Sequence, residues 1–216
     1  MKILNLILAL VFTVSFIACG DSGKTDSTEN QNKSNTDSKV ENTSNTDGKD
    51  SDNKSSGNTD GIKLSPVGKI ENASTEGNAP NFTWEENGSQ MSMSALKGKV
   101  VFVNLWATWC GPCIKEMPEL SEISEELDGD KFKMIGLNVF HQDDTPDVKD
   151  FLKEKPVSYW IVDGNEELVA AFEKATGSTI EGVPTTYIVN KDGKIVETIV
   201  GSRDKATFMA TINKYL

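Results

Sequence analysis

The chain has 216 residues, of which 33 are acidic and 22 basic, so its formal net charge is −11 at pH 7. This acidity, without any basic run, argues against nucleic acid or anionic lipid headgroups as partners. All four tryptophans lie beyond residue 80, which indicates a single folded domain in the C-terminal part of the chain.

The N-terminus is typical of a secretory signal. Lys2 precedes an apolar run over residues 3–18, which is too short for a comfortable membrane span. The run ends in Phe-Ile-Ala-Cys, which resembles the lipobox of bacterial lipoproteins, although Phe16 stands where that pattern usually has leucine. The resemblance implies cleavage after residues 1–18 and acylation of Cys19. An ordinary signal peptide cut nearby and an uncleaved anchor are the alternatives.

Residues 19–78 form a polar segment rich in Ser, Asn, Asp, Lys, Thr and Gly. From residue 20 to residue 61 the only aliphatic side chain is Val40, and aromatic residues are absent. Such a composition cannot bury enough apolar surface to offset the entropy of ordering. The segment is predicted to be a disordered tether, with an end-to-end distance of roughly 40–45 Å for a random coil of this length.

The folded domain is predicted over residues 79–216. It opens with a hairpin around Asn87-Gly88, a dipeptide typical of tight turns. Further strands are predicted over residues 100–105, 132–139, 157–162, 185–189 and 194–200, and helices over residues 110–127, 144–155, 165–175 and 202–215. This alternation, followed by a hairpin and a last helix, predicts a mixed sheet with helices on both faces.

Two cysteines stand where the strand at residues 100–105 gives way to a helix. The intervening Gly111 and Pro112 turn the chain, and proline suits the first turn of a helix, where its missing N–H is not needed. Unpaired N–H groups and the macrodipole at a helix N-terminus favour the thiolate of Cys110, the reactive form. A purely structural disulfide to Cys113 would restrain little chain entropy. A zinc site would need more ligands than His141 adds, so no metal or cofactor is expected.

The segment Trp-Ala-Thr-Trp-Cys-Gly-Pro-Cys at residues 106–113 resembles the active site of the thioredoxin superfamily, and more narrowly that of TlpA/ResA-like thiol–disulfide oxidoreductases. Further matches occur at residues 82–83, 96–99, 116–118 and 182–186, so the resemblance spans about residues 80–216. It implies a thioredoxin-like three-layer α/β/α fold with a mixed central sheet and an N-terminal β-hairpin. It also implies that Cys110 attacks a substrate disulfide and that Cys113 resolves the mixed disulfide.

The resemblance also implies a proton acceptor. TlpA/ResA-like proteins carry a glutamate at the position of Glu116, to which acceptance of the second cysteine's proton is ascribed. Glu116 lies three residues after Cys113, so both project from the same helix face. An exposed helical glutamate is the alternative. Asn104 stands where cytoplasmic thioredoxins have a buried aspartate, and an amide cannot take a proton.

A docking surface for the substrate is the last feature that the resemblance implies. Thioredoxin-like folds place a cis-proline opposite the thiols, and Pro184 is expected to fill that role. Val183 would offer its backbone to an extended substrate strand, and Trp109 would form part of the docking surface. The other tryptophans are expected in the core, at positions 84, 106 and 160.

The function expected from the sequence is that of a lipid-anchored, extracytoplasmic thiol–disulfide oxidoreductase that reduces protein disulfides. In TlpA/ResA-like proteins a frequent substrate is apocytochrome c, and the electron donor is an integral membrane protein. The alternatives are a disulfide oxidase or isomerase, a general antioxidant thioredoxin, and a surface lipoprotein that only binds a partner.

Overall fold

Nine strands and four helices make up the regular structure of the described residues. The computed structural model describes residues 61–72, 76–127 and 129–216. The strands are β1 Leu64–Pro66, β2 Ile70–Glu71, β3 Asn81–Glu86, β4 Ser89–Ser92, β5 Val100–Trp106, β6 Phe132–Asn138, β7 Trp160–Asp163, β8 Thr185–Val189 and β9 Ile195–Val200. The helices are α1 Gly111–Leu127, α2 Val148–Glu154, α3 Glu166–Thr176 and α4 Lys205–Asn213, with a short 3₁₀ helix at Met93–Leu96.

The main sheet has six strands in the order β1-β7-β6-β5-β8-β9. β5, β6, β7 and β1 are parallel, whereas β8 runs antiparallel to both β5 and β9. All seven residues of β5 are buried, because this apolar strand is covered on both faces. The predicted mixed sheet with this strand at its centre is confirmed.

Side chains of β5 alternate between two hydrophobic clusters. Phe102 and Trp106 belong to the cluster that contains α1, α2 and α4, whereas Val103 and Leu105 belong to the cluster that contains α3. Phe102 packs edge-on against Phe208 of α4, with ring centroids 5.2 Å apart. Helices therefore cover both faces of the sheet, which gives the three-layer, thioredoxin-like fold that the resemblance implied.

The predicted N-terminal hairpin is formed by β3 and β4, which pair in antiparallel fashion. Its turn residues Asn87 and Gly88 have φ angles of 53° and 77°, the left-handed conformation that a two-residue type I′ turn requires. Phe82 and Trp84 of β3 are buried and attach the hairpin to the α3 side of the sheet.

The folded part begins earlier than the predicted boundary between residues 78 and 79. β1 pairs in parallel with β7 at the edge of the main sheet, and the Ile161 N–H donates to the Lys63 carbonyl at 2.8 Å. β2 adds a third strand to the hairpin by pairing with β3. Leu64 and Ile70 pack against the two clusters. A few scattered apolar residues suffice because backbone pairing supplies much of the attachment, and composition does not reveal such pairing.

Two helices begin later than predicted because a later aspartate caps each of them. α2, predicted over residues 144–155, begins after Asp147, whose carboxylate accepts the backbone N–H groups of the first turn. α4, predicted over residues 202–215, begins after Asp204 in the same way. Asn165 caps α3 as predicted. Several neighbouring residues are capable of capping, and the sequence alone does not select among them.

The predicted signal peptide, Cys19 and most of the predicted tether lie outside the described residues, so acylation of Cys19 stays a prediction. Over residues 61–72, 76–127 and 129–216, no helix is both long enough and apolar enough to span a bilayer.

Candidate active site

The junction between β5 and α1 places Cys110 at the start of the helix. The Cys110 N–H donates to the Ala107 carbonyl at 3.1 Å, and the Cys110 carbonyl accepts the N–H of Ile114 at 3.0 Å. The Cys113 N–H donates to Cys110 Sγ at 3.2 Å. Cys110 therefore occupies the capping position of α1, where backbone N–H groups and the macrodipole stabilise a thiolate.

Cys110 and Cys113 form a disulfide, with their Cα atoms 5.3 Å apart. Cys110 is 3% exposed and Cys113 is 1% exposed. Both sulfurs are therefore buried, and the loop before β8 packs against that of Cys110.

The loop before β8 forms the wall opposite the disulfide. The Val183–Pro184 peptide bond is cis, as the resemblance implied. The Val183 carbonyl oxygen lies 3.6 Å from Cys110 Sγ. The disulfide sulfur carries no proton, so this is a packing contact, and in the dithiol the same oxygen is positioned to accept the Cys110 S–H. The structure thus brings Val183 and Pro184 to the first cysteine.

Trp109 is an exposed aromatic side chain next to the disulfide. It is 40% exposed, and its Nε1–H donates to the Phe140 carbonyl at 2.8 Å. Phe140 itself has a φ of 55°, a left-handed conformation that a bulky residue rarely adopts. Trp109 and Phe140 also line a cavity of about 250 Å³. The three other tryptophans are buried, as predicted.

His141 lies in the loop that follows β6 and lines the same cavity. Its Nε2 lies 2.8 Å from Asp163 Oδ1 and 3.0 Å from Asn138 Nδ2, and its side chain is half exposed. Among the residues that the structure describes, no group of three or more His, Cys, Asp and Glu side chains is arranged to hold a metal ion.

Glu116 is 3% exposed, so the alternative of an exposed helical glutamate is wrong. The Asn104 amide of β5 donates to Glu116 Oε1 at 3.0 Å and to Thr186 Oγ1, also at 3.0 Å. Asn104 therefore holds the Glu116 carboxyl group against the sheet. The sequence showed only that Asn104 cannot carry a proton and did not indicate this supporting contact.

Burial raises the pKa of Glu116 above its ordinary value. The nearby Ser202 hydroxyl, the Asn104 amide and the positively charged Arg203 act in the opposite direction without cancelling the effect of burial. A carboxyl group whose pKa moves toward neutrality is suited to accept and release a proton in the working pH range. Glu116 is thus chemically suited to exchange a proton with Cys113, one helical turn away.

Sequence reasoning missed Tyr159, which is 2% exposed. Burial, and secondarily the charge of Glu116, raises the pKa of the Tyr159 hydroxyl, so this side chain lies within electrostatic reach of the carboxyl group. Tyr159 is far from both cysteines in the chain, and no motif marks it. Only the register of the parallel strands brings it to the site.

Comparison with known proteins agrees with this geometry. The family model described as Redoxin matches residues 75–214. A protein of Bacillus cereus named thiol-disulfide oxidoreductase ResA is 32% identical over 139 residues, which cover 63% of this chain and 75% of that protein. The ResA protein of Bacillus subtilis is 32% identical over 134 residues, which cover 61% of this chain and 70% of that protein.

A solved structure supports the same fold. The crystal structure of a thiol:disulfide interchange protein of the thioredoxin family from Chlorobium tepidum TLS matches this chain with a TM-score of 0.57 and 30% identity. The match covers 66% of this chain and 98% of that chain.

Proposed function

Because the chain belongs to the Redoxin family and is a ResA-like thiol–disulfide oxidoreductase, we propose that it reduces protein disulfides outside the cytoplasm from a lipid anchor at Cys19. The observation that carries the proposal is the Cys110–Cys113 pair at the N-terminus of α1, with Val183 and Pro184 opposite. This arrangement combines a nucleophile, a resolving thiol and a backbone edge for a substrate.

The reaction starts from the dithiol. The Cys110 thiolate attacks one sulfur of a substrate disulfide; a new S–S bond forms, the substrate S–S bond breaks and the other substrate sulfur leaves as a thiolate. Cys113 then loses its proton to the Glu116 carboxylate and attacks Cys110 Sγ. The second substrate sulfur leaves as a thiolate, and the two thiolates take up protons. The substrate gains two electrons, and the enzyme is left with the Cys110–Cys113 disulfide seen in the structure.

Substrate binding is proposed at the surface around Cys110. Val183 offers its carbonyl oxygen beside Cys110 Sγ, so an extended substrate segment is able to add to this edge by main-chain hydrogen bonds. Trp109, the residue before Cys110, supplies an exposed aromatic face. Together with the buried Pro184, these residues orient the substrate disulfide toward Cys110.

The reducing direction is supported by the residues between the cysteines. Gly111 and Pro112 form the dipeptide of reducing thioredoxins, which favours a low reduction potential. Apocytochrome c cysteines before haem attachment are the proposed substrate class, and an integral membrane protein is the proposed electron donor. Both proposals come from the ResA-like family resemblance.

Trapping of the mixed disulfide tests the proposed substrate. In a Cys113→Ala chain Cys110 still attacks a substrate, but the mixed disulfide is not resolved. Apocytochrome c is expected among the proteins linked to this variant, and a chain carrying Cys110→Ser as well serves as the control. Capture of other exported proteins without any apocytochrome c would rule out this substrate.

Lipid attachment is tested separately by feeding labelled palmitate to bacteria that express the full chain. The wild-type chain and the Cys110→Ser variant are expected to incorporate the label, whereas Cys19→Ala is not. Label in Cys19→Ala, or an unlabelled wild-type chain in cells that process other lipoproteins, would contradict the anchor.

Insulin reduction tests the activity itself. With dithiothreitol as the electron source, the full chain is expected to reduce insulin disulfides, and Cys110→Ser is expected to lose this turnover. Cys19→Ala is the matched control, because it removes the cysteine that lies outside the active site. Equal rates for wild type and Cys110→Ser would contradict the proposed function.

A further inference from the structure

Three buried polar atoms on the α1 side of the sheet have no hydrogen-bond partner among the described residues. They are Oε2 of Glu116, the hydroxyl of Tyr159 and Nε1 of Trp106. A fourth such atom, Nε1 of Trp160, lies on the opposite face. Buried polar groups almost always bond to protein or to ordered water, because an unpaired group costs its free energy of desolvation. Three unpaired polar atoms on the same side of the sheet indicate that they share one hydrogen-bond partner.

Two of the three groups meet over Gly136 of β6, and the third is held by the residue of β5 that pairs with this glycine. Asn104 of β5, which binds Glu116, pairs with Gly136 of β6. A β-carbon built on Gly136 would lie 2.6 Å from Cδ1 of Ile161, 3.0 Å from Cε2 of Tyr159 and 3.2 Å from Nε1 of Trp106. The tyrosine ring and the indole therefore share the space over Gly136 with Ile161, beside the residue that holds the carboxyl group.

The donors and the acceptor are complementary. Tyr159 O–H and Trp106 N–H are donors, and an ionised Glu116 oxygen is an acceptor, yet no direct hydrogen bond joins them. A water molecule accepts two hydrogen bonds and donates two, so one water is able to satisfy all three atoms at once. The charge of Glu116 also raises the pKa of the Tyr159 hydroxyl, after burial, so the two groups lie within electrostatic reach of each other.

We propose that an internal water molecule held by Tyr159 and Trp106 bonds to Glu116 Oε2, and that this link controls how readily Glu116 accepts the proton of Cys113. Tyr159 and Trp106 are thus positioning residues that act through Glu116. This inference rests on the proposed function, in which Glu116 is the proton acceptor for resolution.

The direction of the effect follows from which form of Glu116 the water binds. Hydrogen bonds donated to a carboxylate favour the charged form, so the link opposes the effect of burial and keeps Glu116 able to take a proton. The Ser202 hydroxyl and the backbone N–H and charge of Arg203 act on the carboxyl group in the same direction. Asn104 supports it from β5.

Tyr159→Phe removes the hydroxyl and little else, which makes it the decisive variant. The test uses the full chain with Cys19→Ala, so that only the active-site thiols react. Tyr187→Phe is the matched control, because Tyr187 is also buried but lies in the cluster on the opposite face. The Glu116 carboxyl is titrated by carbon NMR of glutamate-labelled protein. Resolution is followed as the second release of thionitrobenzoate after one equivalent of Ellman's reagent.

Tyr159→Phe is expected to move both the Glu116 titration and the pH profile of resolution upward by about half to one pH unit. Resolution below the midpoint then slows roughly three- to tenfold, with no change in the first release by Cys110. Tyr187→Phe is expected to leave both profiles in place. In a Glu116→Gln chain, adding Tyr159→Phe is expected to have no further effect on resolution.

Thermal stability gives a second readout. A hydroxyl that bonds to water stabilises the fold, so Tyr159→Phe lowers Tm, whereas removal of a truly unpaired hydroxyl leaves Tm unchanged or raises it. Profiles of Tyr159→Phe that superimpose on those of wild type, or an unchanged or higher Tm, would overturn the inference. The proposed function would still stand in that case, because its failure shows instead as loss of the first release and of insulin reduction in the wild-type chain.

Discussion

At the scale of single residues, Glu116 differs from an exposed acidic residue in the cause and the direction of its pKa shift. The exposed Asp150 receives a hydrogen bond from Lys153, which lowers the pKa of that carboxyl group. Glu116 is buried against β5, and burial raises its pKa although Asn104 donates to it. The same helix that presents Cys110 thus carries, two turns further, a buried carboxyl group with a raised pKa, which suits it to the proposed proton transfer rather than to a surface ion pair.

Glu116→Gln is expected to slow resolution of the mixed disulfide at neutral pH, because an amide cannot take the proton of Cys113. The loss is roughly ten- to a hundredfold, at or below the lower end of the range for general base catalysis. Glu125→Gln, at an exposed position of the same helix, is the control and should leave the rate unchanged. The measurement is single-turnover kinetics over pH 6–9, and superimposed profiles for Glu116→Gln and wild type would contradict the role.

Stability should also depend on Glu116. Above the ordinary glutamate pKa of 4.5, an unfolded chain gives up this proton while the folded protein keeps it. The folded state then binds more protons, so the contribution of Glu116 to the free energy of unfolding decreases as pH rises until the folded pKa is passed.

Denaturant unfolding of the oxidised protein at a series of pH values measures this contribution. The free energy of unfolding of Glu116→Gln minus that of wild type is expected to increase with pH between the ordinary and the folded pKa of Glu116. The increase is at most about 1.4 kcal/mol per pH unit. Glu125→Gln should give a curve parallel to that of wild type. A difference between Glu116→Gln and wild type that does not vary with pH would show that burial does not shift the titration of Glu116.

At the scale of elements, the β5–α1 unit is the part that the sequence predicts best. An unbroken apolar run, Pro112 in the first helical turn and the spacing of the cysteines all act locally, and local physics is what sequence patterns report. The contacts that complete the site are not local. Val183, Phe140 and Tyr159 come from three different loops and strands, and their arrangement depends on the register of β6, β7 and β8.

The Trp109–Phe140 contact links the loop after β6 to the proposed docking surface. Trp109→Ala is expected to lower kcat/KM for insulin roughly tenfold, because exposed tryptophans commonly dominate the binding energy of interfaces. Reaction with Ellman's reagent, which is too small to use that surface, is the internal control and should change little. An equal loss for both substrates would assign Trp109 to the chemistry at Cys110 instead of docking.

At the scale of the whole molecule, composition located the folded domain in the C-terminal part of the chain but did not predict the residue at which it begins. β1 joins the main sheet through backbone pairing to β7, and residues before 79 looked too polar to take part. The hairpin turn at Asn87-Gly88 was predictable because its conformation is dictated by two adjacent residues. The burial of Cys110 was not predictable, since it depends on a loop more than seventy positions away in the chain.

The proposed reductant combines a thiol pair separated by Gly111 and Pro112, one buried carboxyl group proposed to transfer protons, and a cis-proline opposite the thiols. Its reduction potential, measured by equilibrating the Cys110–Cys113 pair with defined glutathione ratios, tests this claim most directly. A value well below that of a strong oxidant, in the range of thioredoxin at about −270 mV, is expected. A value near about −120 mV, typical of a strong disulfide oxidant, would contradict it.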